Sequence, residues 1–260
     1  LWHMGRLARP DVSGLQSLSS SAKRAPYAVP EKNPYDVPRP ATLDDIRQTL
    51  DDYAAATRNA LAAGFDGVQI HAANGYFIDQ FLRDGVNDRD DDYGGPPENR
   101  IRLLREVTER VIAEAGADRT AVRLSPNGDS QGADDSNAEA VFIPAVRALD
   151  ALGIAFLELR EQSPDGTFGS TDVPKLSPKI RAAFARPLVL NQDYSLAAAQ
   201  ADLDSGLADA ISWGRLFIAN PDLVERFRTG APLNEPNPKT FYKPGPEGYI
   251  DYPALEMSAA

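Results

Sequence analysis

Short apolar runs alternate with longer segments that carry an apolar residue every three or four positions along most of the chain. The short runs predict strands over 65–70, 120–125, 154–159, 187–190 and 209–213. The longer segments predict helices over 42–63, 101–111, 137–152, 177–184, 195–203 and 221–228. Strands that alternate with helices at this spacing are typical of a parallel sheet, and an eight-fold α/β (TIM) barrel is its commonest form at this length.

The number of predicted strands falls short of the eight that a barrel requires. Five strands are predicted, and residues 1–3 add at most the stub of a sixth. The remaining length lies in a Pro- and Ser-rich excursion over 9–40, a candidate lid, and in a tail over 231–260. The length of 260 residues therefore predicts a single barrel domain over 1–260, whereas the elements predict only the later part of one.

A polar cluster follows the first predicted strand, at the end where a parallel barrel places its chemistry. His71 and Asn74 supply hydrogen-bond donors, Gly75 lets the backbone turn, and Tyr76 carries a phenol proton that can be given away. This combination is typical of a site that binds an oxygen atom and donates a proton. A single histidine beyond an apolar strand is more often a structural residue, so the pattern alone leaves both interpretations open.

Two further positions carry candidate chemistry. Arg123 alternates with the apolar residues of its strand, so its side chain points to the face opposite that of Val122 and Leu124. In a barrel mouth its charge needs a partner, which an anionic ligand or an acidic side chain provides equally well. Gly214 and Arg215 follow the last strand, where barrels often hold a phosphate, although a plain turn with a surface arginine fits the pattern as well.

Composition argues against several classes of protein. The formal net charge of −11, from 27 basic and 38 acidic side chains, argues against nucleic-acid binding. The lack of cysteine excludes disulfides and thiolate chemistry, and with two histidines a multi-histidine metal site is not expected. No apolar run is long enough to span a bilayer, and residues 1–6 lack the pattern of a signal peptide. These features are compatible with a cytoplasmic protein that has no membrane partner.

Motifs for other common chemistries are missing. The acidic run over 87–92 lacks the ligand spacing of a calcium-binding loop, so it predicts a turn. The sequence contains no isolated phosphate loop, no GxGxxG fingerprint and no serine nucleophile elbow. The motif-based interpretations as a kinase, a dehydrogenase or a hydrolase therefore have no support.

Several short stretches, each modest alone, form a specific set when they are taken in order. They are 1–6, 64–83, 92–100, 122–126, 213–223 and 247–253, and they run over nearly the whole chain. In this order they resemble the old yellow enzymes, which are flavin-dependent ene reductases built on an eight-fold α/β barrel. The resemblance implies a bound FMN, NADPH or NADH as the reductant, and an α,β-unsaturated carbonyl or nitro compound as the oxidant.

The resemblance also implies roles for the candidate residues. His71 and Asn74 would hydrogen-bond the carbonyl oxygen of the substrate, and Tyr76 would protonate its α-carbon. Arg123 would face the N1/O2 edge of the flavin, which becomes anionic on reduction. The remaining positions would hold the FMN phosphate (Gln192, Asp193, Gly214 and Arg215) or line the substrate pocket (Trp2 and Tyr242).

Two departures from the family pattern change what we expect of this chain. Family members usually carry a glycine where Gln192 and Asp193 stand, which leaves the loop geometry open. The family's first two strand–helix units and most of its third strand have no counterpart ahead of Leu1. We therefore expect an incomplete barrel, active alone or completed by a partner chain that supplies the N-terminal strands. The alternatives are a non-catalytic complementing fragment and another phosphate-binding barrel enzyme.

Overall fold

Five parallel strands form the main sheet of the computed structural model, which describes residues 1–26, 35–167 and 169–255. The short elements α1 (Pro10–Ser13), β1 (Leu18–Ser19) and β2 (Arg39–Pro40) precede this sheet. Each strand of the sheet pairs in parallel with the next one along the chain, which confirms the predicted parallel α/β architecture. The strands are β3 (Val68–His71), β4 (Thr120–Leu124), β5 (Phe156–Arg160), β6 (Leu188–Asn191) and β7 (Ala210–Ser212).

Helices connect these strands. They are α2 (Leu43–Ala62), α3 (Phe77–Leu82), α4 (Pro97–Arg100), α5 (Arg102–Ala115), α6 (Ala138–Leu152), α7 (Ser177–Ala183), α8 (Leu196–Asp204), α9 (Arg215–Ala219) and α10 (Leu223–Thr229). All the predicted helices are present, with ends that differ from the prediction by a few residues. Among the described residues, no helix combines the length and the apolar character that crossing a membrane requires.

The hydrophobic core lies between the sheet and these helices. Val122 and Leu157 of the central strands belong to one buried cluster with Ile46 of α2 and Phe142 of α6. Burying a side chain of this size contributes about 1.5–3 kcal/mol. Since side chains alternate along a strand, the residues between these apolar positions face the opposite side of the sheet, where polar groups gather.

Helix α2 begins with a reciprocal capping box. The Thr42 hydroxyl accepts a hydrogen bond from the backbone N–H of Asp45 at 3.1 Å, and the Asp45 carboxylate accepts one from the N–H of Thr42 at 2.7 Å. Hydrogen bonds from Arg39 and Thr42 to this carboxylate hold the pKa of Asp45 well below its ordinary value. These contacts fix the point where the excursion ends and the helix begins.

We expect Thr42→Ala to lower the free energy of unfolding by about 1 kcal/mol, because an N–H group at the helix start then loses its acceptor. Thr42→Ser keeps the hydroxyl and should stay within about 0.5 kcal/mol of the original chain. Chemical denaturation followed by circular dichroism measures both variants. An equal loss in the two would contradict the capping role.

The two outer strands of the sheet differ in how their edges are covered. Beside β3, the amino group of Leu1 donates to the carbonyl of Gln69 at 2.6 Å, and the N–H of His71 donates to the carbonyl of Leu1 at 2.9 Å. Leu1 thus adds one rung of a ladder, in agreement with the predicted stub. On the other side, β7 pairs with β6 alone within the described residues.

The sequence wrongly places Phe65 in the first strand. Its N–H donates to the carbonyl of Ala60 at 3.2 Å in the turn that ends α2, and its side chain is 65% exposed. The strand begins three residues later, at Val68, because the helix closes through Gly64 and Phe65 before the chain can extend. Residues 27–34 of the candidate lid lie outside the described residues.

The aromatic density of the tail over 240–253 predicts that it folds back and packs, and the structure shows such packing for part of it. The carbonyl of Pro253 accepts from Arg226 at 2.8 Å, which fixes this part of the tail to α10. Tyr249 and Ile250 remain 80% and 73% exposed. Their N–H groups both donate to the carbonyl of Pro246, so these two residues close a turn of their own and face solvent.

Candidate active site

A cleft of about 840 Å³ opens at the carboxyl ends of the sheet strands, where parallel α/β folds place their ligands. Its volume lies in the range of small-molecule sites, about 300–1,000 Å³. Its lining includes charged and amide side chains from successive strands and residues of α9 and the tail. The lining residues are Asn74, Arg123, Glu158, Arg160, Thr167, Asn191, Gln192, Asp193, Tyr194, Ser195, Ser212, Trp213, Gly214, Arg215, Leu216, Ile218, Pro236, Pro238, Phe241 and Tyr242.

His71 and Tyr76 lie side by side next to this cleft. His71 is the last residue of β3 and Tyr76 directly precedes α3, which places their ring centroids 5.1 Å apart. Trp2 packs edge-on against both, with centroid distances of 5.8 Å to His71 and 4.8 Å to Tyr76. Trp2 is 58% exposed, so a ligand can reach this group of three rings from solvent.

The loop between His71 and Tyr76 places Asn74 through a tight turn. Asn74 and Gly75 have φ angles of 59° and 76°, in the left-handed region that most side chains avoid. The N–H of Asn74 donates to Ser125 Oγ at 2.7 Å. A Cβ at Gly75 would lie 2.4 Å from the carbonyl oxygen of Ser130, so the loop needs glycine there.

A buried ion pair anchors this loop. Asp79 accepts from Arg83 Nε at 2.9 Å through one oxygen and from the N–H of Gly75 at 2.8 Å through the other. Arg83 also donates to the carbonyl oxygens of Ser125 and Gly128. Both charges are paired and hydrogen-bonded, which is the condition under which an ion pair persists in an interior. The loop geometry is therefore set by α3.

Burial sets the protonation of both aromatic candidates. Burial is the main cause that lowers the pKa of His71 to about 4, and the positive charges of Arg123 and the terminal amino group add to it. The negative charge of Glu158 opposes this shift. Burial also raises the pKa of Tyr76 above its ordinary value. At neutral pH, His71 is therefore a neutral imidazole and Tyr76 a protonated phenol.

Arg123 faces the cleft, as the strand alternation predicts, and its partner in the structure is an acidic side chain. Its Nη1 donates to Glu158 Oε1 at 2.7 Å and its Nη2 to Asn191 Oδ1 at 2.8 Å. Glu158 also accepts from Gln69 Nε2 at 2.9 Å and from Ser212 Oγ at 2.6 Å. One carboxylate thus connects four strands of the sheet beneath the cleft.

Arg215 pairs with Asp193 and donates to Thr167 Oγ1 at 2.6 Å. Gln192 and Asp193 have φ angles of 97° and 55°. The loop therefore takes the left-handed conformation that glycine usually provides, at a cost on the order of 1 kcal/mol or more per residue. The loop at Gln192 and Asp193 therefore forms this turn without the glycine that family members usually carry there.

Several polar cleft residues were not predicted from the sequence, among them Glu158, Arg160 and Thr167. Glu158 and Arg160 alternate with the buried Leu157 and Leu159 along β5, so the alternation that identifies Arg123 would also have found them. Thr167 lies in the loop that follows β5, where the sequence carries no comparable signal.

The structure brings the predicted site residues into two adjoining groups. One group lines the cleft and consists of Asn74, Arg123, Gln192, Asp193, Gly214, Arg215 and Tyr242. The other is the group of three rings formed by Trp2, His71 and Tyr76. Asn74, which lies three residues after His71 and two before Tyr76, connects the groups.

The acidic run lies apart from this site and forms a turn. Asp91 pairs with Arg89 and accepts from the N–H of Tyr93 at 3.1 Å, while Asp92 pairs with Arg102. Within the described ranges, no group of three or more His, Asp or Glu side chains is placed to hold a metal ion.

The chain is similar to known flavin enzymes over nearly its whole length. Residues 1–234 match the model of the NADH:flavin oxidoreductase / NADH oxidase family. Putative 12-oxophytodienoate reductase 11 of Oryza sativa subsp. japonica is 41% identical over 98% of this chain and 71% of its own length. 12-oxophytodienoate reductase 2 of Arabidopsis thaliana is 35% identical over 100% of this chain and 71% of its own length.

The chain is also similar to solved structures. The old yellow enzyme homologue from Zymomonas mobilis is 60% identical, with a TM-score of 0.96 over 98% of this chain and 73% of that protein. Morphinone reductase is 40% identical, with a TM-score of 0.92 over 98% of this chain and 71% of that protein. A further structure holds morphinone reductase in complex with tetrahydroNAD. The predicted FMN cofactor and nicotinamide reductant are thereby confirmed at the level of the family. The chain belongs to the NADH:flavin oxidoreductase / NADH oxidase family, that of the old yellow enzymes.

Proposed function

We propose that this chain is an ene reductase, which transfers hydride from NAD(P)H through FMN to the activated C=C bond of an α,β-unsaturated carbonyl or nitro compound. One observation carries the proposal. A neutral imidazole, an amide and a protonated phenol (His71, Asn74 and Tyr76) adjoin a cleft that contains arginines. The names of its relatives, which include 12-oxophytodienoate reductases and morphinone reductase, support reduction of a small molecule.

The corner of the cleft around Arg215 fits the FMN phosphate. Among the described residues, the N–H groups of Asp193 and Gly214 donate to no acceptor. A Cβ at Gly214 would meet nothing within 4 Å, so the backbone there is open to a ligand. Gly214, Arg215 and the backbone of Gln192 and Asp193 would hold the phosphate. The Asp193 carboxylate only accepts hydrogen bonds, so its side chain serves to hold Arg215 in place.

Arg123 and Glu158 would lie at the polar edge of the flavin ring. Bound FMN would accept hydride from the nicotinamide and deliver it to the substrate. The Arg123 charge favours negative charge at that edge, and the paired Glu158 offsets part of this effect. The pair therefore sets a moderate positive field in place of a full unpaired charge.

His71 and Asn74 would bind the carbonyl or nitro oxygen of the substrate. Neutral His71 offers one ring N–H, and the Asn74 amide offers its Nδ2 hydrogens. Negative charge develops on this oxygen as hydride reaches the β-carbon. Donors aimed at that charge stabilise the transition state more than the bound substrate, which is the requirement for catalysis.

Tyr76 would donate its phenol proton to the α-carbon of the substrate. Its raised pKa keeps the proton in place at neutral pH until the carbon becomes basic. Trp2 packs on the Tyr76 ring and Tyr242 lines the cleft, so these two residues would enclose the substrate.

We expect Arg215→Ala to weaken FMN binding about 10- to 100-fold, because a charge-assisted contact to phosphate is lost. Riboflavin, which lacks the phosphate, is the matched control and should bind both proteins equally. Titration followed by flavin fluorescence measures both ligands. A similar loss for riboflavin would place Arg215 away from the phosphate.

We expect the His71 ring to titrate near pH 4, because burial lowers its pKa from 6.5. The unfolded chain binds this proton more readily, so the stability that His71 contributes is complete above about pH 6.5 and is lost as the pH falls through 4. Imidazole NMR measures the titration, and His3→Gln identifies the remaining signal as that of His71. A midpoint near 6.5 would contradict the burial of the ring.

A direct test uses the chain loaded with FMN and cyclohexenone as the oxidant. We expect a perturbed visible flavin spectrum and NADPH oxidation that depends on the enone. FMN binding without enone-dependent turnover would argue against ene reduction. A protein that leaves the flavin spectrum unperturbed would argue against this chain as an autonomous flavoprotein.

A second candidate is that the sheet is part of an eight-fold barrel completed by a partner chain, with this chain as a complementing half. The observation in its favour is that β7 pairs with β6 alone among the described residues. An exposed edge of this kind favours pairing with a further strand. Size-exclusion chromatography with light scattering tests this candidate. A monodisperse monomer that binds FMN would rule it out, whereas an aggregating, flavin-free chain would support it.

A further inference from the structure

We propose that Arg160 is a positioning residue that fixes the orientation of the Asn74 amide. The inference rests on the proposed role of Asn74 in binding the substrate oxygen. Arg160 is the last residue of β5 and is only 6% exposed, at the wall of the cleft. Its Nη1 donates to Asn74 Oδ1 at 3.0 Å, which joins two residues 86 positions apart in the chain.

This contact decides which end of the amide a ligand meets. An asparagine amide can present its oxygen or its nitrogen, and only the nitrogen can bind a carbonyl oxygen. Arginine carries N–H donors and no acceptor, so only the amide oxygen can face Arg160. The Asn74 Nδ2 is thereby directed away from Arg160, and it donates to no group among the described residues. The amide of this cleft residue is held as a hydrogen-bond donor for a ligand.

Contacts with Ser130 and Gln192 also hold Arg160. Its Nη1 also donates to Ser130 Oγ at 2.9 Å, and its Nε donates to Gln192 Oε1 at 2.9 Å. The guanidinium therefore cannot turn without losing bonds to two loops. Its positive charge also polarises the Asn74 amide, which strengthens the N–H donor on the other side.

We expect Arg160→Met to weaken the binding of phenol to the oxidised, FMN-loaded protein about tenfold, because the amide is then free to rotate and loses its polarising partner. Phenol is the probe because the phenolate oxygen imitates an enolate oxygen, and its binding changes the visible flavin spectrum. Phenol titration gives the dissociation constant without any turnover.

The same substitution in an Asn74→Ala background separates positioning from a general structural role. There, Arg160→Met should change the phenol dissociation constant less than twofold. A tenfold loss in both backgrounds would overturn the proposal, as would tight phenol binding by Arg160→Met alone. If Asn74→Ala lost no phenol affinity, the role of Asn74 in binding the substrate oxygen would be refuted. That outcome would contradict the proposed function itself, and it is distinct from a failure of the Arg160 proposal.

Two conservative variants keep the test decisive if Arg160→Met does not fold. Arg160→Lys retains a donor without an acceptor and should bind phenol within about threefold of the original protein. Arg160→Gln is shorter, and its amide can present either oxygen or nitrogen to Asn74, so it should weaken phenol binding. Equal affinities for the Lys and Gln variants would contradict the orienting role of Arg160.

Discussion

Replacing Tyr76 with phenylalanine should slow reoxidation of the reduced flavin protein by cyclohexenone 10²- to 10⁴-fold, the usual contribution of a positioned general acid. The ring centroids of Tyr76 and His71, the proposed oxygen-binding residue, are 5.1 Å apart. The raised pKa of Tyr76 keeps its phenol protonated at neutral pH. Reduction of the flavin by NADPH needs no proton on a carbon atom and should change less than twofold. Stopped-flow absorbance measures the two half-reactions separately.

Two controls distinguish proton donation from a general disturbance of the site. Ferricyanide accepts electrons without protonation at carbon, so it should reoxidise the Tyr76→Phe protein at the original rate. Tyr53→Phe removes a buried phenol oxygen that has no hydrogen-bond partner among the described residues, and it should leave both half-reactions unchanged. A large loss in reduction by NADPH on Tyr76→Phe would contradict the role of Tyr76 as acid.

The order of elements could be predicted because periodicity depends on local burial. Val122 and Leu124 lie on one side of β4, and Leu104, Val107 and Val111 lie on one side of α5, because both sides pack into a single core. Phe65 shows where this reasoning fails. An aromatic residue beside Gly64 looks like the start of a strand, but the turn that closes α2 takes up its N–H and leaves its side chain in solvent.

The sequence groups candidate site residues most directly where they lie in one stretch of the chain. His71, Asn74 and Tyr76 are close in the chain, so a single loop brings them together. The partner of Arg123 could not be chosen from its own strand, because Glu158 reaches it through the pairing of β4 with β5. Contacts of this kind depend on which strands pair with each other, whereas the periodicity of a single strand specifies only the face of the sheet on which a residue lies.

The loop at Gln192 shows a further limit. The lack of glycine leaves the geometry of this loop open, and in the structure Gln192 and Asp193 adopt the positive φ angles that glycine usually provides. The contacts of Asp193 with Thr167 and Arg215 stabilise this conformation. Backbone strain of this kind is offset by tertiary contacts that the local sequence does not reveal.

Replacing both His71 and Asn74 with alanine should weaken phenol binding to the FMN-loaded protein about 10²- to 10⁴-fold, because the phenolate oxygen then loses two donors worth roughly 1.5–3 kcal/mol each. Titration followed by the visible flavin spectrum measures the loss. The pKa of His71, about 4, adds a second expectation. Between pH 5 and pH 8 the imidazole stays neutral, so the affinity for phenol should show no step near 6.5.

His71→Asn is the matched control, since it exchanges the imidazole for another neutral donor and should recover part of the lost affinity. FMN affinity should remain unchanged in both proteins, because neither variant replaces a residue proposed to hold the FMN phosphate. Unchanged phenol affinity in the double variant would contradict the oxygen-binding role of both residues. If His71→Asn lost all phenol affinity but still bound FMN, the imidazole ring itself, which packs against Trp2 and Tyr76, would shape the pocket.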